Sequence, residues 1–287
     1  MKIIGLIGLM AFASGCKTEK TSPALFSYGE ALGEVDKRLE EASGLAASAA
    51  HPGFLWTLND NGNPPEVFLI DQHARIRLEC SLANARNRDW EDIAIGPGPK
   101  DGKTYVYVAD IGDNEAQYDF KVIYRFEEPV LSRGKKIVIS DYDTLALRMP
   151  DGKRDAETVL IDPLTNDLFI VTKRENDVGL YRSPNPFTQD TATLKKAATL
   201  HLTSIVAGSI SADGQEVLLK NYGQIFYWKR SNNESLPDLL AKEPITLNYE
   251  REPQGEAIAW SRDGSEFYTL GEHKGGHASL LVYKRNR

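Results

Sequence analysis

With 287 residues, 41% of them hydrophobic and 26% charged, the chain can bury a sizeable core and lacks the composition of a disordered protein. Its net charge of −7 argues against a nucleic-acid partner, because neutralising phosphates takes a clustered Lys/Arg surface that is missing here. The 23 Gly and 14 Pro suit many short strands joined by tight turns.

The first fifteen residues read as an export signal: Lys2 is a minimal charged region, Ile3 to Phe12 an apolar stretch, and Ala13-Ser14-Gly15 a small-residue run before Cys16. The apolar stretch falls short of the roughly 20 residues that a membrane-spanning helix needs. Ala-Ser-Gly-Cys resembles the bacterial lipobox, with Ala13 where Leu is usual. That resemblance implies lipid on Cys16, a polar tether over 16–24, and a domain over 25–287 held outside the cytoplasm at a bacterial membrane. The partner implied is the membrane itself. The other cysteine, Cys80, lies in Ile76-Arg77-Leu78-Glu79-Cys80, where alternation puts it on the apolar face as a small buried hydrophobe.

Beyond the tether one phrase repeats: a short strand opening on an acid, a turn, and a second strand closing on Asp, Asn or a base. Unit one runs from Glu41 through Phe54–Asn59 and Val67–Asp71 to Leu82. Unit two opens at Glu91 and continues with Tyr105–Asp110, Val122–Phe126 and an outer strand from Lys136 onward to Met149. Unit three opens at Glu157 and ends near Leu202; unit four has Val206 where the acid is expected and ends near Tyr249. Unit five opens at Glu256 and ends after three strands at Tyr283. Units of four strands at this spacing predict an all-β, five-bladed β-propeller. Leu25–Leu32, with no other partner, is the predicted outer strand of blade five and closes the ring. The alternative is six blades, with Ile137 to Met149 heading the extra one.

In such a fold the inner-strand openers and the loops after the second strands converge on one face of the channel. The candidate ligand-binding residues are therefore Glu41, Asp60, Glu91, Asp110, Glu157, Arg174, Glu256 and His273. Carboxylates crowded around a channel call for a cation, raised pKa values, or pairing to neighbours. Ca²⁺, which takes six to eight oxygen ligands, is the expected metal, with Glu41, Glu91, Glu157 and Glu256 as its ligands. Trp56, Trp90, Tyr118 and Tyr222 are aromatic candidates for the mouth. No G-x-S-x-G elbow is present, and the five His are scattered.

A Glu opening an inner strand, followed by a small or apolar residue, resembles the metal-binding Glu of gluconolactonase-type and paraoxonase-type propellers. The unit pattern is also similar to phytase-like and NHL-type bacterial propellers, and Asp89-Trp90-Glu91-Asp92-Ile93-Ala94 with Ala109-Asp110-Ile111-Gly112-Asp113-Asn114 looks like exported bacterial propellers of unassigned function. The resemblance implies that Glu41 or Glu256 is a calcium ligand. The later Asn and Asp ligands of those lactonases have no counterpart, since Val206 and Gly208 stand in the equivalent stretch. Two functions follow as expectations: a binding module for a small ligand or an envelope component, and a calcium-dependent hydrolase of a lactone, phosphoester or glycoside using the channel carboxylates.

Overall fold

The computed structural model describes residues 24–131, 134–187, 190–232, 234–273 and 276–286. The export signal, Cys16 and most of the tether lie outside the described residues.

Five sheets radiate from a central channel. Their inner strands are Ala42–Ala47, Trp90–Pro97, Ala156–Ile161, Ala207–Ile210 and Ala257–Trp260. Each packs beside the next in chain order and the last beside the first, so the ring has five blades and the six-bladed alternative is set aside. Ala156–Ile161 and Ala257–Trp260 are buried throughout, as is the first half of Trp90–Pro97, because a neighbouring blade covers each face. Five apolar clusters fill the five interfaces. Leu45, Phe68 and Leu280 join blades five and one; Trp56, Trp90, Val106 and Cys80 join one and two; Tyr107, Ile161 and Tyr181 join two and three. Phe169, Val217 and Trp228 join blades three and four, and Phe226 packs with them. Tyr227, Trp260 and Phe267 join four and five.

Cys80 sits wholly inside its cluster, and burial pushes its thiol up to about 12, which leaves it an inert hydrophobe. Trp56 and Trp90 are likewise fully buried between blades and do not reach the channel mouth.

The N-terminal segment closes the ring, displaced by a few residues from its predicted span. Glu30–Glu34 pairs antiparallel with Ser279–Lys284, and Phe26 makes a separate bridge to Arg285. A bulge between Ala31 and Gly33 shifts the register, and Gly33 approaches the His73 carbonyl so closely that a Cβ would lie 2.4 Å from its oxygen.

One predicted strand divides in two. The outer strand of blade two is Asp143–Arg148, whereas Lys136–Ile139 crosses back and runs parallel to Glu79–Leu82 of blade one. Ser140 to Tyr142 breaks the run, and the Tyr142 hydroxyl donates to Ala83 O at 2.6 Å, anchoring the crossing. Blade three repeats the device, with Thr191–Thr193 running parallel to Ala146–Arg148 of blade two. Each strap covers an edge that would otherwise present unpaired backbone groups.

Candidate functional site

Two of the inner-strand acids owe their position to bulges. In blade two Trp90 pairs with Asp110 and Asp92 with Ala109, leaving Glu91 as the extra residue; in blade three Ala156 pairs with Thr172 and Thr158 with Val171, leaving Glu157. A bulge bends the strand and re-aims the unpaired side chain, here towards the channel mouth. The neighbouring Asp92, fully enclosed, spends its carboxylate on the backbone N–H groups of Ile93 (2.8 Å) and Val159 (2.9 Å), stapling blades two and three at this level.

The mouth is a cavity of about 480 Å³ bordered by Asp60, Glu91, Glu157, Glu256 and Glu272 together with Lys173, Arg174, Tyr222 and the neutral Asn114, Ser204 and Gln254. Further in lies a smaller space of about 50 Å³ bordered by Leu45, Ile93, Val159 and Gly208, with Ser209, Ser261 and Arg262 also on its wall.

Blade four contributes no acid, as Val206 is buried in its place. Lys173 and Tyr222 occupy that side. Lys173 donates to Glu157 and, at 3.1 Å, to the Tyr222 hydroxyl, which in turn donates to Glu256; Lys173 Nζ lies 4.0 Å from Glu256. Burial opposes the Lys173 charge, but Glu157 and then Tyr222 outweigh it and hold its pKa above the ordinary value. This half of the mouth carries its own counter-cation.

The other half does not. No described Lys or Arg pairs with Asp60, Asp89 or Glu91. Asp89 accepts from Asn61 Nδ2 at 2.7 Å, and Asp60 accepts from the Asn61 N–H. Glu91 is only 4% exposed, and no described residue donates a hydrogen bond to its carboxyl. Its close approach depends on Gly112, where a Cβ would lie 2.2 Å from Glu91 Oε1 and 2.4 Å from Asp89 Cγ.

Burial, then the charges of Glu157, Asp60 and Asp89, lift the Glu91 pKa well above the ordinary range. Burial pushes Glu157 up to about 8, with Lys173 opposing and Glu256 adding. Asp60 is pushed up to about 7, by burial first, against its Asn61 hydrogen bond and with help from Asp89, Glu256 and Glu272. Carboxyl oxygens of Asp60, Asp89 and Glu91 lie within 4.8 Å of one another, as do those of Glu91, Asp155 and Glu157, and those of Asp60, Glu256 and Glu272.

The remaining sequence candidates sit outside the cavity wall. Glu41 accepts from Asn63 Nδ2 at 2.7 Å in its own blade. Asp110 lies beneath the mouth, accepting from the Asp89 N–H at 2.9 Å with Arg88 3.5 Å away, and burial pushes it up to about 6. His273 is mostly buried, and neither ring nitrogen has a hydrogen-bond partner among the described residues. Tyr118 lies under the Arg88 guanidinium, 4.0 Å from ring centre to Cζ. Tyr222 and Lys173 were not singled out as a pair by the sequence, although the missing acid at Val206 was the signal that something else fills blade four.

No family model and no curated protein matches the chain. Among solved structures it is similar to a luciferin-regenerating enzyme, at 9% identity and a TM-score of 0.49 over 88% of this chain and 92% of that one. It is also similar to the WD40 repeats of RRP9, at 8% identity and a TM-score of 0.43 over 84% and 79%. A third similarity is to hydrazine synthase of Kuenenia stuttgartiensis, at 12% identity and a TM-score of 0.43 over 96% and 99%. No family assignment follows from these values, and the propeller fold rests on the strand pairing itself.

Proposed function

We propose that the chain is a lipid-anchored, extracytoplasmic binding propeller whose acidic channel mouth takes a small ligand or envelope component through a bound cation, with Ca²⁺ as that cation. The observation that carries the reading is Glu91, a buried carboxyl with no donor from any described residue, facing a cavity whose bordering cations Lys173 and Arg174 pair with Glu157 and Asp155 instead. Enclosed carboxylates without a counter-charge either keep a proton or meet a cation. Oxygens within 4.8 Å of one another suit a single ion, since two Ca–O bonds of about 2.4 Å span that distance. An all-oxygen donor set favours a hard cation over zinc or copper. Asn114 and Gln254 line the same cavity and can supply neutral oxygens. The anchor rests on the Ala13-Ser14-Gly15-Cys16 ending of the signal.

The test is calorimetric titration of chelator-treated protein with Ca²⁺. Binding in the wild type and its loss in Glu91→Gln, which keeps the volume and removes the charge, is the expected result. A wild type that takes up no cation would end this reading.

One feature favours catalysis instead. Glu91 and Glu157 are close, both are pushed up, and a pair sharing one proton offers an acid beside a base. Under that reading the protein is a calcium-dependent hydrolase of a lactone, phosphoester or glycoside. Turnover of chromogenic substrates of those three classes, lost in Glu157→Gln, is what distinguishes it.

A further inference from the structure

We infer that the ligand of the mouth carries a carboxylate, which Arg174 receives at the rim while the cation at Asp60, Asp89 and Glu91 offsets the acidic wall. This deepens the binding reading above and rests on it.

Arg174 borders the cavity with its side chain 52% exposed, and its one ion pair among the described residues lies below the rim. Its Nε lies 2.6 Å from Asp155, and Asp155 is itself fixed by the Asp113 N–H at 2.8 Å. No other described acid pairs with Arg174, so the outer edge of the guanidinium remains open to the cavity. A planar fork of two N–H groups matches one carboxylate bidentately.

The rim around it is built for a polar guest. Among the described residues, no partner engages the side chains of Asn114, Ser204 or Gln254, all of which border the same space. Ser204 and Gln254 also hold left-handed backbone, with φ of 57° and 42°, which non-glycine residues adopt at a cost. Backbone bonds hold both in place: Ser204 N donates to Lys173 O at 2.9 Å, and Gln254 O accepts from Glu272 N at 3.2 Å. Polar rim side chains open to a guest, next to a guanidinium with a free outer edge and the undonated Glu91 carboxyl, suit a small polar acid.

Five carboxylates border the cavity, so an anion meets repulsion there until a cation is bound. Cation and carboxylate, bordering one cavity, should therefore bind with positive coupling, each raising the other's affinity by the same factor, about tenfold or more.

Succinate serves as the probe, titrated calorimetrically into full-length protein with and without saturating Ca²⁺, with succinamide as the uncharged control. The expected result is binding of succinate to the calcium-loaded protein, weaker by about tenfold or more without calcium, and no binding of succinamide. Arg174→Gln, and Arg174→Lys in which charge survives without the fork, should both weaken succinate while leaving Ca²⁺ uptake intact, which shows that the mouth is still folded. Calcium uptake without succinate binding, or succinate binding indifferent to both Arg174 variants, overturns the carboxylate inference alone. Binding of inorganic phosphate in place of succinate does the same. Absence of Ca²⁺ uptake overturns the cation reading first and this inference with it.

Discussion

Lys173 of blade three reaches the Tyr222 hydroxyl of blade four at 3.1 Å while also donating to Glu157, so a single ammonium serves two blades across the position where Val206 supplies no acid. Removing it leaves Glu157 buried without its counter-charge and Tyr222 without its acceptor role. For Lys173→Met, measured above pH 8 where Glu157 is ionised in the wild type, we expect a loss of about 3–5 kcal/mol in urea unfolding, the usual cost of stripping one partner from a buried pair. Saturating Ca²⁺ should return part of it, because a bound cation would take over the lost charge. An unchanged unfolding midpoint would show that the Lys173 contacts are surface-like in strength.

The raised carboxyl pKa values fix the sign of a pH effect. Asp110, Asp60 and Glu157 stand at about 6, 7 and 8 in the folded protein, pushed there in each case by burial first. In the unfolded chain they ionise near the ordinary carboxylate values, about 4. Below that both states hold the protons and stability is complete; as pH rises from about 4 to 8 the unfolded chain ionises first and stability falls. The melting temperature of the calcium-free protein should therefore drop across this interval. Lys220, which is wholly enclosed and donates to Tyr249 at 3.0 Å, is pushed down to about 8 by burial. It gives the opposite slope, recovering stability from pH 8 towards 10.5. A melting temperature that rises steadily from pH 5 to 8 would contradict the carboxyl assignments.

Ring closure depends on one aromatic more than on strand length. Phe26 is 2% exposed, with ring centroids 5.0 Å from Phe267, 5.7 Å from Trp260 and 6.2 Å from Tyr227, and with Arg285 4.7 Å above it. Phe26→Ala should cost about 3–5 kcal/mol, as for other buried aromatics. Tyr28, 73% exposed, is the control, and its replacement by Ala should change little. Equal effects from the two would mean that the N-terminal segment is not seated as described.

Much of this architecture was legible in the residues. The unit openings at Glu41, Glu91, Glu157, Val206 and Glu256, 50, 66, 49 and 50 residues apart, marked the blades, and the unpartnered Leu25–Leu32 marked the closing strand, though the pairing settled on Glu30–Glu34 with Phe26 apart. Parallel straps were not legible, because Lys136–Ile139 alternates as well for blade one as for blade two and only the tertiary path chooses. The shared place of Glu41, Glu91, Glu157 and Glu256 at the opening of a unit also suggested four equivalent acids. Glu91 and Glu157 face the mouth because each is the extra residue of a bulge, whereas Glu41 turns to Asn63; in blade one the register shift falls between Ser43 and Leu45 instead. A bulge is a cross-strand property, invisible in a single strand's pattern.

The proposed lipid attachment at Cys16 predicts a fractionation result. Wild type should partition with membranes, and Cys16→Ser should appear in the soluble fraction with its folded domain intact, since the domain begins beyond the tether. A soluble wild type with an unmodified N-terminus would remove the anchor from the proposal.

Gly112 offers the sharpest test of the mouth. It lies between Ile111, which is fully buried, and Asp113, so its backbone path is held from both sides. Its N–H donates to Asp89 O at 3.1 Å, which brings the loop against the blade-two bulge. A methyl group on its Cα would fall 2.2 Å from Glu91 Oε1 and 2.4 Å from Asp89 Oδ2, nearer than any ordinary contact. The carboxylates are side-chain ends and can yield, so Gly112→Ala should fold, with a stability loss of about 1–3 kcal/mol from overpacking. What it cannot keep is the arrangement in which Asp60, Asp89 and Glu91 oxygens lie within 4.8 Å of one another. Calcium affinity should fall by about tenfold or more, the equivalent of about 1.4 kcal/mol, while Arg174 and the rim stay in place. Unaltered calcium binding in a folded Gly112→Ala protein would mean that these three carboxylates are not the ligands.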